Sequence, residues 1–233
     1  MIRALAVLSV LVPAVAAAQP SAQQVDTDVA PARASYSLDY GAHVRWLGDT
    51  SGAIASGENT LGGPRLTLGR SLTTVAAARR TLAVGVFTRW VYAAANGTMF
   101  QDLDTRLSQH ALTAGVRIDA PLVWHTRLVA EAEAGMARTA LQITQGDLMP
   151  VDDHAWGTYA SASVGLDFAL YEGPRVRVAL GSELGYVVTA PASLRALPDD
   201  RPDTDLSVPT TFASIGRLDT RGVTYQGWFR VSF

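Results

Sequence analysis

Alternation of apolar and polar residues with a period of two dominates this chain and recurs in eight segments. In the first segment every even position from Tyr36 to Trp46 is apolar or aromatic, and the odd positions carry Ser, Asp, Gly, His and Arg. The other segments lie near 61–72, 81–92, 106–119, 122–142, 156–171, 175–188 and 217–233. Because successive side chains of a strand point to opposite faces, each segment is predicted as a strand with one apolar and one polar face.

The connections between these segments alternate in length. The long ones are 47–60, 93–105, 143–155 and 189–216, and the shorter ones are 73–80, 120–121 and 172–174. An even strand count with alternating long and short connections is typical of outer-membrane barrels. The sequence therefore predicts an all-β fold, an eight-stranded antiparallel up-and-down transmembrane β-barrel. Its termini and short turns would be periplasmic, and its long loops extracellular.

A soluble barrel would show the same periodicity, so the compositions of the two faces must decide between the two kinds of barrel. The chain is 48% hydrophobic and only 17% charged, and no apolar run beyond residue 18 has the length of a spanning helix. Small residues and charges of both signs share the polar face, which suits a narrow lumen with paired charges. The predicted lumen charge network comprises Asp39, Arg45, Arg65, Arg89, Arg117, Arg127, Glu131, Glu133, Asp167, Arg177, Glu183 and Arg230.

Aromatic residues on the apolar face are predicted to form girdles at the two membrane interfaces. Tyr36, Trp124, Phe168 and Phe233 would lie at the periplasmic rim. Trp46, Trp90, Tyr92, Trp156 and Tyr186 would lie at the outer rim. Sorting of Trp to both edges favours a membrane barrel over a soluble one.

The N-terminal region has the features of an export signal. Arg3 precedes an apolar stretch, and small residues at 16–18 precede Gln19. Residues 1–18 are predicted to be a signal peptide, 19–34 a flexible periplasmic leader, and 35–233 the barrel. The chain has no cysteine, which excludes a lipid anchor at the cleavage site, disulfides and thiol chemistry.

The last strand ends in alternating apolar residues and a terminal phenylalanine. Its apolar face is formed by Tyr225, Gly227, Phe229, Val231 and Phe233. This pattern resembles the C-terminal assembly signal of bacterial outer-membrane proteins, although Gln226-Gly227 lies one residue further from the end than usual. With the signal peptide and eight segments, residues 35–233 resemble the small barrels of the OmpA and OmpX type. The resemblance implies a Gram-negative outer membrane and recognition by the barrel-assembly machinery, but no activity.

The chemistry expected of such a chain is limited. No cofactor, metal site or catalytic residue is predicted, and a net charge of −2 without a basic stripe argues against nucleic-acid binding. The expected partners are outer-membrane lipid and lipopolysaccharide, and the expected state is a monomer. The predicted role is structural or surface-interacting, with a filled lumen and acidic surface loops.

Two alternatives remain open at this stage. One is a narrow gated pore through the polar lumen. The other is a lipid-A-modifying enzyme, since Ser108 and His110 share the lipid-facing side of one strand, and His43 lies on the same face as Asp39. The Ser–His order is reversed relative to the H-x-S element of the lipid A deacylases, and no outward acidic residue is assigned to orient His110.

The predicted outer loops are acidic. Their carboxylates are Asp49, Glu58, Asp102, Asp104, Asp147, Asp152, Asp153, Asp199, Asp200, Asp203 and Asp205. Clustered oxygen ligands suit hard cations, so divalent-cation bridging to lipopolysaccharide is a hypothesis. The segment 198–205 lacks the spacing and the glycine of a defined calcium loop.

Overall fold

The computed structural model describes residues 35–48, 59–77, 80–99, 103–123, 125–144, 151–195 and 214–233. The predicted signal peptide and leader lie outside the described residues, as does Trp124. No helix in the described part of the chain is long and apolar enough to cross a membrane.

Ten strands form in these residues. They are β1 (Tyr36–Leu47), β2 (Thr60–Ala77), β3 (Arg80–Met99), β4 (Leu103–Pro121), β5 (Thr126–Thr144), β6 (Val151–Glu172), β7 (Arg177–Thr189), β8 (Ala192–Arg195), β9 (Ser214–Leu218) and β10 (Gly222–Ser232). Strands β1 to β7 and β10 close into a barrel in which each strand pairs with its sequence neighbour and β10 pairs with β1. Every pair is antiparallel. The predicted eight-stranded up-and-down barrel is confirmed.

Over most of the barrel the polar face of each strand points into the lumen. In β1, Asp39 is fully buried, whereas Leu38 and Tyr40 expose 40% and 63% of their surface. The neighbouring strand β10 repeats the pattern, with Arg230 buried and Phe229 exposed. A water-soluble protein would bury these apolar side chains, so the outward belt is built for an apolar surrounding.

The two faces exchange character towards one end of the barrel. We call this the upper end; it carries the connections 48–59, 100–102, 145–150 and 190–221, and the lower end carries the three short turns. Near the upper end the inward residues are apolar and buried: Leu47, Leu61, Ala93, Leu107 and Leu141. The outward residues there are polar: Asn96, Thr98, Asp104, Arg106, Asp152 and His154, all exposed. This upper section has the arrangement of a water-soluble barrel.

Several predicted boundaries were wrong for this reason. Strand β3 runs to Met99 and β4 starts at Leu103, so most of the expected long connection 93–105 is strand. Likewise β5 reaches Thr144 and β6 begins at Val151, which shortens the connection predicted over 143–155. Because the prediction looked for apolar side chains outside and polar ones inside, it ended these strands where that assignment reverses.

The last predicted strand, 217–233, was also wrong at its start, because β10 begins at Gly222. Residues 214–218 belong instead to β9, which pairs with β8 in a separate two-stranded sheet. Strand β8 and most of β9 lie within the connection predicted as a loop over 189–216.

Candidate functional site

An ionic network fills the lower part of the lumen. Its lowest layer is built around Asp39 of β1, whose carboxylate accepts hydrogen bonds from Arg117 at 2.6 Å and from Arg230 at 2.9 Å. Arg230 also donates to Asp167 at 2.9 Å, and Arg177 forms a second ion pair with Asp167. Both aspartates are fully buried, and a carboxylate buried away from water is costly unless cationic partners contact it.

The next layer is held by two glutamates of β5. Glu131 forms ion pairs with Arg89 and, at 2.6 Å, with Arg117. Glu133 lies 3.2 Å from Arg89 and accepts hydrogen bonds of 2.7 Å from the hydroxyls of Thr113 and Ser161. Because Arg117 contacts both Asp39 and Glu131, the two layers form one connected network.

Arg65 forms the third ionic centre of the lumen. Its guanidinium donates to Glu183 at 2.6 Å and also to the side chain of Gln226. It lies 5.0 Å from the ring of Trp228, which is buried inside the barrel. A Cβ on Gly181 would collide with this indole, so the absence of a side chain at Gly181 is what admits the ring.

Arg45 is held differently from the other lumen arginines. It donates to the side chain of Gln109 at 2.7 Å, to the carbonyl of Thr220 at 3.2 Å and to the hydroxyl of Tyr159 at 3.4 Å. Among the described residues no carboxylate forms an ion pair with it. This fully buried cation is therefore held by neutral acceptors within the described part of the chain, just below the point where the lumen becomes apolar.

An apolar cluster closes the upper opening of the lumen. We call it the mouth cluster; its buried members are Leu47, Leu61, Ala93, Leu107, Leu141, Ala192, Leu194 and Leu218. Five of these residues come from β1 to β5, and the last three come from the sheet of β8 and β9. The small sheet thus places an apolar face across the opening, where Leu194 is 1% exposed. Close-packed apolar side chains of this kind offer water few hydrogen-bonding partners.

The structure brings the predicted lumen residues together, but two of them lie at or near the lower rim. Arg127 is partly exposed at the lower rim, where it lies 3.4 Å from Glu172. Arg177 is also near this rim and reaches Glu172 at 3.1 Å in addition to Asp167. The remaining ten lie buried inside the barrel.

The predicted charge network left out the neutral and aromatic residues that complete it. The most important are Gln109, Gln226, Thr113, Ser161, Tyr159, Trp228, Phe87 and Thr220, together with the acidic Glu172. Strand parity already places most of them on the polar face, but parity alone does not say which inward side chains contact the charges. Thr220 and Glu172 lie at or beyond strand ends, where parity gives no assignment.

The structure leaves several buried polar atoms of the lumen without a protein partner in its described part. Both ring nitrogens of His43, Glu183 Oε2, Trp228 Nε1, and Nε and Nη2 of Arg65 are among them. These residues come from β1, β2, β7 and β10. Further buried atoms without a hydrogen bond in the described part of the chain, Arg89 Nη1, Asp119 Oδ1 and Ser163 Oγ, lie on β3, β4 and β6, so the unsatisfied groups are distributed around the lumen.

The outward aromatic residues form a belt that is broader than two girdles. Tyr36 and Phe233 stack at the lower end with ring centres 6.4 Å apart, and Phe168 is exposed near the same end. Trp46, Trp90, Trp156 and Tyr186 are exposed higher on their strands, and Tyr92 is partly exposed. Tyr40 and its cross-strand partner Phe229 are also exposed, between these two levels. Aromatic side chains are therefore not confined to the edges.

The predicted assembly signal lies on the outward face of β10. Tyr225, Phe229 and Phe233 are exposed, and Gly227 and Val231 are partly exposed. Gly227 pairs with Ala42 of β1 and Ser182 of β7, in the seam where the first and last strands meet.

The residues considered for catalysis are not arranged as a triad within the described part of the chain. His110 packs against the ring of Tyr92 at 4.8 Å, and no ion pair to it forms among the described residues. His43 is buried, and the carboxylate of Asp39 is taken up by Arg117 and Arg230. No cluster of three or more potential metal ligands occurs among the described residues.

Most of the predicted acidic loop set falls outside the described residues. These carboxylates are Asp49, Glu58, Asp102, Asp147, Asp199, Asp200, Asp203 and Asp205. Asp104 and Asp152 are exposed on outward faces of β4 and β6, and Asp153 is partly buried.

Comparison with known proteins identifies the fold alone. No family model matches the chain, and no curated protein matches it. The chain is similar to a major outer membrane protein from Thermus thermophilus, with a TM-score of 0.52 and 12% identity, over 87% of this chain and 99% of that one. The fold is therefore that of outer-membrane β-barrels.

Two further solved structures are more distant. Ail of Yersinia pestis, in complex with the heparin analogue sucrose octasulfate, gives a TM-score of 0.42 at 12% identity and covers 86% of this chain and 97% of its own. The outer membrane protease OmpT of Escherichia coli gives a TM-score of 0.44 at 8% identity, over 89% and 99%. At these scores neither supports an argument about function.

Proposed function

We propose that this chain is an integral protein of a bacterial outer membrane with a closed lumen and a structural or surface-interacting role. Its termini are periplasmic and its upper end is extracellular. The predicted signal peptide and C-terminal assembly signal support export to the outer membrane and assembly there. The belt supports membrane insertion, because leucines, valines and aromatic rings cover the outside while charges fill the lumen.

Two barriers in series along the lumen support the proposal that the lumen is closed. Interlocked arginines and carboxylates occupy the lower part, and the mouth cluster seals the upper opening. Eight strands leave an interior that side chains alone can fill. The activity of the protein is then expected at the upper end and on the outer surface.

Cell fractionation with gel mobility tests the membrane assignment. The protein is expected in the outer-membrane fraction and should migrate faster unheated than after boiling, since folded barrels resist detergent. Recovery in the soluble periplasmic fraction, with no heat-dependent shift, would contradict the proposal.

Planar bilayer recording tests the closed lumen. Purified protein is expected to give no sustained conductance, with a porin in the same bilayers as the positive control. A stable, large conductance would support the narrow-pore alternative instead.

Lipid A mass spectra test the enzyme alternative. Spectra from cells with and without the protein are expected to be identical, because the proposed role is structural or surface-interacting.

A further inference from the structure

Two outward arginines lie close together near the upper end of the barrel. Among the barrel-strand residues whose side chains the structure describes, only three arginines point outward: Arg70 near the lower end, and Arg106 and Arg138 in the upper half of β4 and β5. His110 lies directly opposite Arg138 in the β4–β5 ladder. The upper arginines and His110 thus share one face of two neighbouring strands.

Aromatic residues lie level with this group and just below it. The ring of His110 is 4.8 Å from Tyr92 and 6.2 Å from Trp90, and Trp156 is the cross-strand partner of Arg138 on β6. Trp and Tyr at such positions mark the level where hydrocarbon meets headgroups. The cations are therefore placed where the belt ends and the polar outer face of the upper section begins.

Neither upper arginine is neutralised by the described part of the chain. No hydrogen bond or ion pair to Arg106 or Arg138 occurs among the described residues. The nearest outward carboxylates by register are Asp104, two residues above Arg106, and Asp152, opposite Gln142. In the ladder Asp104 lies six positions above Arg138, opposite Thr144, and Asp152 lies four positions above it on the adjoining strand β6. In the lumen, by contrast, most arginines are paired with carboxylates.

A polar recess of about 440 Å³ opens beside Arg106. Its lining includes the neutral side chains of Asn96, Thr98, Gln142 and Thr144, together with Asp104. Amide and hydroxyl groups of this kind hydrogen-bond to the hydroxyls of a sugar.

We propose that Arg138, His110, Arg106 and the adjoining recess bind the headgroup of a phosphorylated glycolipid in the surrounding outer leaflet. This inference rests on the proposed function, because it requires the upper end to face the glycolipid leaflet. A guanidinium matches phosphate geometry with two parallel hydrogen bonds, and such charge-assisted bonds are strong where water is partly excluded.

The spacing suits a headgroup with more than one anionic group. Arg106 and Arg138 differ by four positions along the ladder, which corresponds to about 13 Å along the strand. Their long side chains can approach one another or diverge over that span. The sugar would lie between them and the recess, with its acyl chains along the belt beneath Trp90 and Tyr92.

The test is native mass spectrometry of the folded full-length barrel with three added lipids: diphosphoryl lipid A, its dephosphorylated form and phosphatidylglycerol. Wild-type protein is expected to retain diphosphoryl lipid A most strongly. The double variant Arg106→Gln, Arg138→Gln should weaken retention at least about tenfold, the effect of losing about 1.4 kcal/mol of binding free energy. The matched control is Arg70→Gln, which removes the outward arginine of the opposite end and should leave retention unchanged.

Three outcomes would overturn the inference: equal retention of dephosphorylated lipid A, equal retention of phosphatidylglycerol, or an equal loss in Arg70→Gln. Each variant is first checked for the heat-dependent gel shift, so that loss of folding is not mistaken for loss of binding. A folded barrel in the outer membrane without phosphate-dependent retention refutes this inference alone. Absence from the outer membrane refutes the proposed function instead.

Discussion

In the two sections of the barrel, the same strands place their polar and apolar side chains on opposite faces. In the lower section β4 points Arg117 into the lumen and Val116 outward, and in the upper section it points Leu107 inward and Arg106 outward. The period of two is unbroken between them. What changes is the surrounding medium, which is apolar around the lower section and aqueous around the upper one.

Periodicity therefore locates a strand, whereas the membrane boundary is located only by which face of the strand is apolar. In β4 the sign reverses between Leu112, which is outward and apolar, and His110, which is outward and polar. Matched substitutions in the two sections therefore compare the two media directly.

The largest effect is expected for Asp39→Asn. This change leaves Arg117 and Arg230 without a shared carboxylate inside the lumen. Removing one partner of a buried ion pair costs about 3–5 kcal/mol of unfolding free energy. Urea unfolding in lipid vesicles measures it, and Asp104→Asn, on the exposed upper end of β4, should change nothing. Equal stability of both variants would show that the lower lumen is hydrated.

A charge added to the outward face should depend on the section. Val116→Arg places a guanidinium in the belt, where the cost is about 2–4 kcal/mol at mid-membrane depth. Thr98→Arg adds the same group to the outward face of the upper section and should cost close to nothing. The same unfolding assay compares the two. Similar costs at both positions would mean that the membrane boundary is misplaced.

The mouth cluster should be weakened by Leu194→Ala. Truncating this buried leucine is expected to cost about 2 kcal/mol, at the lower end of the range for core leucines, because the small sheet can shift inward. The loss should appear as faster proteolysis near β8 while the barrel itself stays folded by gel mobility. Ser193→Ala, on the exposed side of the same strand, is the control. Unchanged proteolysis in Leu194→Ala would indicate that the sheet does not depend on this contact.

The smallest effect is expected at the lower rim. Glu172 contacts His125 at 3.0 Å and Arg177 at 3.1 Å, but Glu172 and His125 are both exposed to solvent. Exposed ion pairs contribute about 0–1 kcal/mol, so Glu172→Gln should shift the free energy of unfolding by less than about 1 kcal/mol. A loss as large as that of Asp39→Asn would show that the rim is as dry as the lumen.

The barrel could be predicted because each strand carries its own evidence. The alternation from Tyr36 to Trp46 already places Asp39 and Arg45 on the face opposite Tyr40, and antiparallel closure brings such faces together. The partners could not be predicted: that Arg117 bridges Asp39 and Glu131 depends on register and tilt around the ring, which no single segment specifies.

The upper section was harder to predict because its signal is local and reversed. Strands β8 and β9 are four and five residues long, too short for a period to be recognised, and 18 residues separate Arg195 from Ser214. Leu194 and Leu218 become apolar partners only through tertiary packing over the opening. The neutral acceptors around Arg45 were equally hard to predict, because one of them is the carbonyl of Thr220, which lies between two strands.

The seam between β1 and β10 has a consequence for biogenesis. All other barrel pairs join strands that follow one another in the barrel order along the chain, whereas Asp39 and Arg230 are 191 positions apart. The carboxylate that unites the lowest ion pairs therefore gains its full set of partners only when the C-terminal strand arrives. Until then the chain carries an open edge and an incomplete set of ion pairs, and we expect a chain truncated before its last strand to be exposed to degradation.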